Sequence, residues 1–197
     1  AMVALYQNGE PLRSEQGYPM RLLVPGCEGN LSIKWLHRLQ VRNGPAHTRE
    51  ETSKYTDLLK DGSATQFSLR MGVKSIITSP SGKMTVPEKG VYEVTGLAWS
   101  GHGKIKSVEV SADAGSTWSE AQIQSDNEPL KPVRFRVPWR WLGQSATLQS
   151  RAIDSSGNCQ PTRETALANS APGFSYHYNG IQSWSVDKNG RVRNVYI

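Results

Sequence analysis

Cysteine is nearly absent. Cys27 and Cys159 are the only two in 197 residues. A disulfide, two free thiols and one reactive thiol are all open on the count alone. The four histidines, His37, His47, His102 and His177, are scattered without the spacing of metal ligands. No apolar run approaches 18 residues, which excludes a membrane-spanning helix and leaves no reason to expect a membrane partner. No charged segment and apolar core follow Ala1-Met2-Val3, so no signal-peptide pattern is visible in these residues. There is no run of Lys or Arg and no nucleic-acid-binding motif, and no nucleic acid is expected. Internal repeats and low-complexity tracts are also lacking.

What is present makes a real core. Hydrophobic residues are 37% and charged residues 20%, a balance that argues against global disorder. Six Trp and seven Tyr bring large side chains to bury. Lys and Arg number 23 against 17 acidic residues, a net charge of +6, which favours an anionic ligand or an acidic protein face. The length suits one full domain plus part of another.

From about residue 70 onward, short strands alternate with turns. Lys74–Thr78 ends at Ser79-Pro80-Ser81-Gly82, and Val91–Thr95 gives way to Ser100-Gly101-His102-Gly103. Ile105–Ser111 sets Val108 and Val110 on one face and Glu109 and Ser111 on the other, before a turn at Asp113-Ala114-Gly115-Ser116. Val133–Val137 has the cleanest period of two, Ala146–Asp154 closes at Ser155-Ser156-Gly157-Asn158, and Arg191–Ile197 is the last strand. No helical period competes. This spacing predicts a mainly β protein, with an immunoglobulin-like antiparallel sandwich over residues 70–197.

Residues 1–69 differ. Arg21-Leu22-Leu23-Val24 reads as a buried strand stopped by Pro25-Gly26, and Ser32–Val41 is apolar enough for burial. So short a piece cannot bury its own core. Residues 42–70 are polar and read as an extended linker. An orphan piece of core ahead of a complete sandwich implies a further domain upstream.

Chemistry in this first part begins with Arg21 at a strand start and Lys34 past a Gly-rich turn (Gly26, Gly29). An Arg fork suits phosphate or a heterocycle carbonyl, a Lys head supplies a point charge, and N–H groups of such a turn can face an anion. Solvated surface charge is the plain alternative.

The motifs around these residues carry a resemblance. Asn8-Gly9-Glu10-Pro11-Leu12, Gly17-Tyr18-Pro19-Met20-Arg21-Leu22-Leu23-Val24-Pro25-Gly26 and Ser32-Ile33-Lys34-Trp35-Leu36 stand in sequence order. They resemble the end of the molybdenum-pterin domain of the sulfite oxidase family. Ala98–Gly101, Val110–Trp118 and Ala152–Asp154 through Gln160-Pro161 are similar to that family's dimerisation domain. The resemblance covers nearly the whole chain. It implies that 1–69 is the tail of a mixed α+β cofactor domain with a linker, and that 70–197 is the dimerisation domain.

Roles follow from the resemblance, residue by residue. Arg21 and Lys34 match pterin-cofactor ligands. Gln16 stands where the family usually has a His that contacts the cofactor; an amide can hydrogen-bond there but cannot titrate. Tyr55, in Ser53-Lys54-Tyr55-Thr56-Asp57, matches the active-site tyrosine, whose phenol can donate a hydrogen bond and relay a proton. By residue type alone it is an ordinary linker tyrosine. Asn179 falls where animal sulfite oxidases place a substrate-binding Arg, which weakens the case for a free oxyanion substrate. Within the family the chain is most similar to the molybdenum subunit of bacterial sulfane dehydrogenases. That implies an oxidoreductase acting on carrier-bound sulfur, a molybdopterin cofactor held mainly by upstream residues, a c-type cytochrome subunit, a sulfur-carrier protein and a homodimer. A periplasmic location comes with it. No metal ligand is expected in this chain. Cys27 lies in a turn where other members carry an apolar residue, so neither it nor Cys159 is expected to be catalytic.

The aromatic set Trp99, Trp118, Trp139, Trp141 and Trp184 reads as core and interface packing rather than a sugar platform. Asp113 and Asp154 read as turn residues rather than calcium ligands. Two rivals stand beside the main reading: a dehydrogenase of free sulfite, and a non-enzymatic β-sandwich module with an N-terminal arm.

Overall fold

The computed structural model describes residues 1–67, 69–124, 126–168 and 176–197. Ser68, in the expected linker, lies outside them. The chain divides into two compact units. One is Ala1–Met71 with Tyr176 and His177; the other runs from Gly72 and resumes at Tyr178.

The first unit holds β1 (Met2–Ala4), β2 (Tyr6–Gln7), β3 (Glu10–Pro11), β4 (Arg21–Leu23), α1 (Arg49–Lys54), β5 (Asp57–Leu58) and β6 (Ala64–Thr65). Its sheets are two-stranded: β1 on β4, β2 on β3, β5 on β6. Among its described residues Leu12 is the one buried large hydrophobic, while Ile33, Trp35, Leu39 and Val41 are exposed. Residues 32–41, apolar enough for burial, are thus left largely uncovered within this unit, in keeping with a piece too small to bury its own core. A pair of three-residue strands offers too little surface to cover that stretch.

The expectation of an extended linker over 42–70 is corrected. Residues 49–54 form α1, with Glu50 and Glu51 in its first turn and a Glu50–Lys54 ion pair at 2.9 Å. Acidic residues near a helix start and an i,i+4 pair favour so short a helix without any apolar period. A hairpin follows, its turn held by Asp61 accepting from the Ser63 N–H and hydroxyl.

The second unit holds β7 (Lys74–Ser79), β8 (Gly90–Trp99), β9 (Ile105–Ser111), β10 (Ser119–Glu120), β11 (Gln122–Ile123), β12 (Val133–Trp141), β13 (Ala146–Asp154), α2 (Arg163–Ala168), β14 (Ser183–Val186) and β15 (Val192–Val195). One antiparallel sheet runs β11-β12-β8-β7 and the other β10-β9-β13-β14-β15. Their inner faces share one core, in which Ile77, Val94 and Phe135 of the first sheet meet Val108, Leu148 and Val186 of the second. Strict alternation explains β12: Val133, Phe135, Val137, Trp139 and Trp141 are buried, while Arg134, Pro138 and Arg140 face out.

Two details depart from the sequence reading. α2 appears where no helix is expected. Thr162 caps it, its hydroxyl accepting the Thr165 N–H at 3.2 Å, with Glu164 in the first turn. Ser111, expected to face outward, is buried. Its hydroxyl donates to Asp113 and accepts the Gly115 N–H at 2.8 Å, fixing the turn in which Ala114 and Gly115 adopt positive φ. The Thr117 side chain and N–H, with Ser111, hold the Asp113 carboxyl down at about 2.

Asp154 ends β13 fully buried. Burial pushes its carboxyl up, but hydrogen bonds from the Asn158 side chain, Ser100 and the Asn158 and Ser156 N–H groups outweigh that and leave it below the ordinary value. A depressed folded value means that the carboxylate stabilises the fold above the unfolded value of about 4, and that this is lost as pH falls through the folded one. Asp154→Asn keeps one acceptor oxygen but turns an amide toward the Asn158 amide. Urea unfolding is expected to show a loss of about 2 kcal/mol at neutral pH, shrinking below about pH 4. A gap independent of pH would refute this account of Asp154.

Among the described residues, no helix is long and apolar enough to cross a membrane.

Candidate functional site

Three of the expected site residues converge on one turn. Ser14–Gln16 form a single 3-10 turn closed by Gly17 at φ 106°. A Cβ on Gly17 would sit 2.9 Å from the Lys34 Cβ, so both the backbone angle and the close approach require glycine. The strand after the turn pairs with residues 33–36: the Leu22 N–H reaches Ile33 O at 2.9 Å, and the Leu36 N–H reaches Met20 O at 2.9 Å. This pairing delivers three side-chain donors to three successive carbonyls. Trp35 Nε1 donates to Ser14 O at 2.9 Å, Lys34 Nζ to Glu15 O at 2.7 Å and Arg21 Nη1 to Gln16 O at 3.2 Å. Arg21 Nη2 donates to Ser32 O at 3.3 Å.

Two positive heads thus stand beside the end of one turn, and the Gln16 side chain lines an adjoining recess of about 240 Å³ with Gln7, Asn8 and Arg13. The carbonyls use only part of each donor set. Arg21 Nε is buried without a partner, and a Lys ammonium has three N–H groups. A buried donor left unpaired is costly, and an anionic or carbonyl acceptor would relieve it. The cluster fits a phosphate-bearing heterocyclic ligand on these grounds.

Tyr55 is held by a different set. Its N–H closes α1 on Glu51 O at 3.3 Å. Its ring meets that of Tyr176 edge-on, centroids 4.4 Å apart at 86°. The adjacent Tyr55 side chain, with burial and the nearby Glu28 charge adding, pushes the Tyr176 hydroxyl up to about 12. Asp57 Oδ1 accepts the Tyr176 N–H at 2.8 Å, and Glu28 Oε1 lies 2.6 Å from His177 Nδ1. Tyr176, His177, Glu28 and Asp57 are absent from the sequence-based set. Only the neighbouring Asn179 marks that stretch of sequence.

Asn179 belongs to the second unit, where its amide donates to Val73 O at 3.2 Å. Beside it, Lys74 Nζ donates to Tyr178 O at 2.7 Å. Both cysteines are free thiols, Cys27 half-buried and Cys159 exposed. Among the described residues, no group of three or more His, Cys, Asp or Glu is placed to hold a metal.

Residues 65–183 match the family described as the Mo-co oxidoreductase dimerisation domain. The chain belongs to that family. Residues 1–50 match the oxidoreductase molybdopterin binding domain, so the Arg21–Lys34 cluster falls within the cofactor-binding part and β7–β13 within the dimerisation part. Among curated relatives, mitochondrial sulfite oxidase of Mus musculus is 31% identical over 175 residues, covering 81% of this chain and 32% of its own length. Nitrate reductase [NADH] 1 of Oryza sativa subsp. japonica is 30% identical, covering 82% of this chain and 20% of its own. The crystal structure of the sulfane dehydrogenase SoxCD from Paracoccus pantotrophus superposes with a TM-score of 0.95 at 46% identity. It covers 100% of this chain and 51% of its own. The chain therefore spans about a third of the sulfite oxidase and half of the sulfane dehydrogenase chain that it matches. The resemblance read from the motifs holds, as do the mainly β fold and the molybdenum-cofactor assignment.

Proposed function

We propose that this chain is the C-terminal part of a sulfane dehydrogenase: a molybdenum enzyme that oxidises sulfur carried on a partner protein and passes electrons to a c-type cytochrome. The observation that carries the reading is the 46% identity over the full chain to a sulfane dehydrogenase, against 31% to a sulfite oxidase. Asn179 supports it from the chemistry. A neutral amide already donating to Val73 O offers a sulfite dianion no charge.

Arg21, Lys34 and Gln16 would hold the pterin part of the cofactor. Bound there, the cofactor supplies two-electron oxidation and oxygen transfer to sulfur. The chain's own work is to bind and orient. Arg21 and Lys34, tied to the Gln16 and Glu15 carbonyls, present pre-ordered donors, so little side-chain entropy remains to be lost on binding. Tyr55 would stand at the substrate as donor and proton relay. The sandwich would join two copies through an isologous face. A periplasmic site, with the cytochrome and sulfur carrier as partners, completes the proposal.

The test is cytochrome c reduction by the native enzyme. Sulfur bound to a carrier protein's cysteine is expected to drive it, and free sulfite to turn over slowly. Brisk reduction with sulfite and none with carrier-bound sulfur would make the enzyme a sulfite dehydrogenase.

A further inference from the structure

We propose that the second unit holds a binding site for a small organic anion, a carboxylate or sulfonate with an apolar body. A cavity of about 840 Å³ is lined by Trp118, by Gln149 and Arg151 of β13, and by Cys159, Arg163 and Ile181. All six belong to the second unit. The volume is that of a small-molecule pocket, and Trp118, Cys159 and Ile181 give it apolar wall.

The two arginines select the ligand. Both are half-buried, and each is held against aromatic rings. The Arg151 guanidinium lies 4.2 Å from the centre of the Trp118 ring, and its Nε donates to Glu109 Oε2 at 2.6 Å. The Arg163 guanidinium lies 4.6 Å from the centre of the Tyr196 ring and 6.0 Å from that of Tyr178. A guanidinium over a ring keeps its N–H groups in its own plane, open to an acceptor at its edge. Arg151 spends only Nε on the protein, and Arg163 makes no hydrogen bond or ion pair among the described residues. The paired oxygens of a carboxylate or sulfonate fit such a fork. The one acidic lining residue, Glu164, is exposed, and water screens its charge.

The walls are built before any ligand arrives. Asp113 accepts the Thr117 N–H at 2.8 Å and hydroxyl at 2.6 Å, and Trp118 Nε1 donates to Gly115 O at 3.0 Å, which fixes the indole. Gln149 is buried, its Nε2 committed to Ser183 at 2.9 Å. A Cβ on Gly115, whose φ is 86°, would stand 3.0 Å from Gln149 Oε1 and 3.4 Å from the Trp118 ring, so a side chain there would fill the space beside both. With the cations stacked and the walls tied, little order remains to be imposed on binding.

The test is a fluorescence titration of the native enzyme with anilinonaphthalene sulfonate, an aromatic body bearing one sulfonate. Saturable binding at one site per chain is expected, about tenfold or more tighter than that of phenylnaphthylamine, the same body without the anion. Arg163→Gln is expected to weaken the sulfonate about tenfold and to leave the neutral compound unaffected. Cys159 locates the site. At ten times its Kd the sulfonate is expected to slow alkylation of the exposed Cys159 thiol by N-ethylmaleimide about tenfold, read by mass spectrometry. That protection needs no variant, so it decides the matter if Arg163→Gln fails to fold. A native enzyme that binds no sulfonate, binds the neutral compound as tightly, or alkylates Cys159 at an unchanged rate overturns the proposal, as does Arg163→Gln with the parent affinity. A second copy of the chain seated over the cavity would give the first of those results.

Discussion

Replacing Gln160 by Leu is expected to cost about 4 kcal/mol and to lower Tm by roughly 10 °C. Gln160 is buried between the sheets. Its Oε1 accepts the Ser75 N–H and hydroxyl at 2.8 Å and the Ala152 N–H at 3.2 Å, and its Nε2 donates to Ser75 O at 3.3 Å and Gly180 O at 3.4 Å. One side chain thus completes the backbone of β7, β13 and the approach to β14. A Leu of similar size fills the space but strands two buried N–H groups, each costing about 1–3 kcal/mol. Ser75→Ala removes one hydroxyl and leaves the backbone bonds in place, so about 1 kcal/mol is expected there. Urea or thermal unfolding of both variants is the measurement. A Gln160→Leu protein as stable as the parent would show that the sheets relax to satisfy those groups without it.

The second large effect is on rate. Tyr55→Phe is expected to lower kcat about a hundredfold while leaving Tm nearly unchanged. The ring's edge-on contact with Tyr176 survives the substitution, and so does the Tyr55 N–H bond to Glu51 that closes α1. Only the hydroxyl is lost, and with it the donor and proton relay assigned to this position. Steady-state kinetics beside a melting curve separates the two effects. A variant that turns over like the parent removes Tyr55 from the chemistry.

Most of the second unit was legible because its strands obey a period of two. Ile105–Ser111 and Ala146–Asp154 keep their bounds in the structure, and Val133–Val137 extends with the same alternation to Trp141. β14 was missed because it shows no alternation to read: Trp184 and Val186 turn to the core, yet Ser183 on the opposite face is buried as well, its hydroxyl accepting from Gln149 Nε2 at 2.9 Å. Hydrophobic alternation cannot register such a position. Both α1 and α2 were missed for another reason. Six residues show no helical period, and their order rests on caps and charges rather than on an apolar face.

The site divides in the same way. Arg21 and Lys34 were legible from motif order, and the structure adds how they meet, through carbonyls 14–16 of a turn whose shape depends on Gly17. Carbonyls carry no letter in a sequence. Tyr176 was illegible because its partner Asp57 lies 119 residues away and nothing local marks the pair. Ile33, Trp35 and Leu39 read as core, yet they stand exposed among the described residues of their unit. An apolar pattern marks a residue as fit for burial without naming what covers it.

The central claim, that residues 1–50 serve a molybdenum cofactor, is tested most directly by elemental analysis of the native protein for molybdenum per polypeptide. The account predicts molybdenum stoichiometric with the chain in the parent protein and strongly depleted in Arg21→Met. A native protein without molybdenum, or an Arg21→Met variant that retains the full complement, would contradict it.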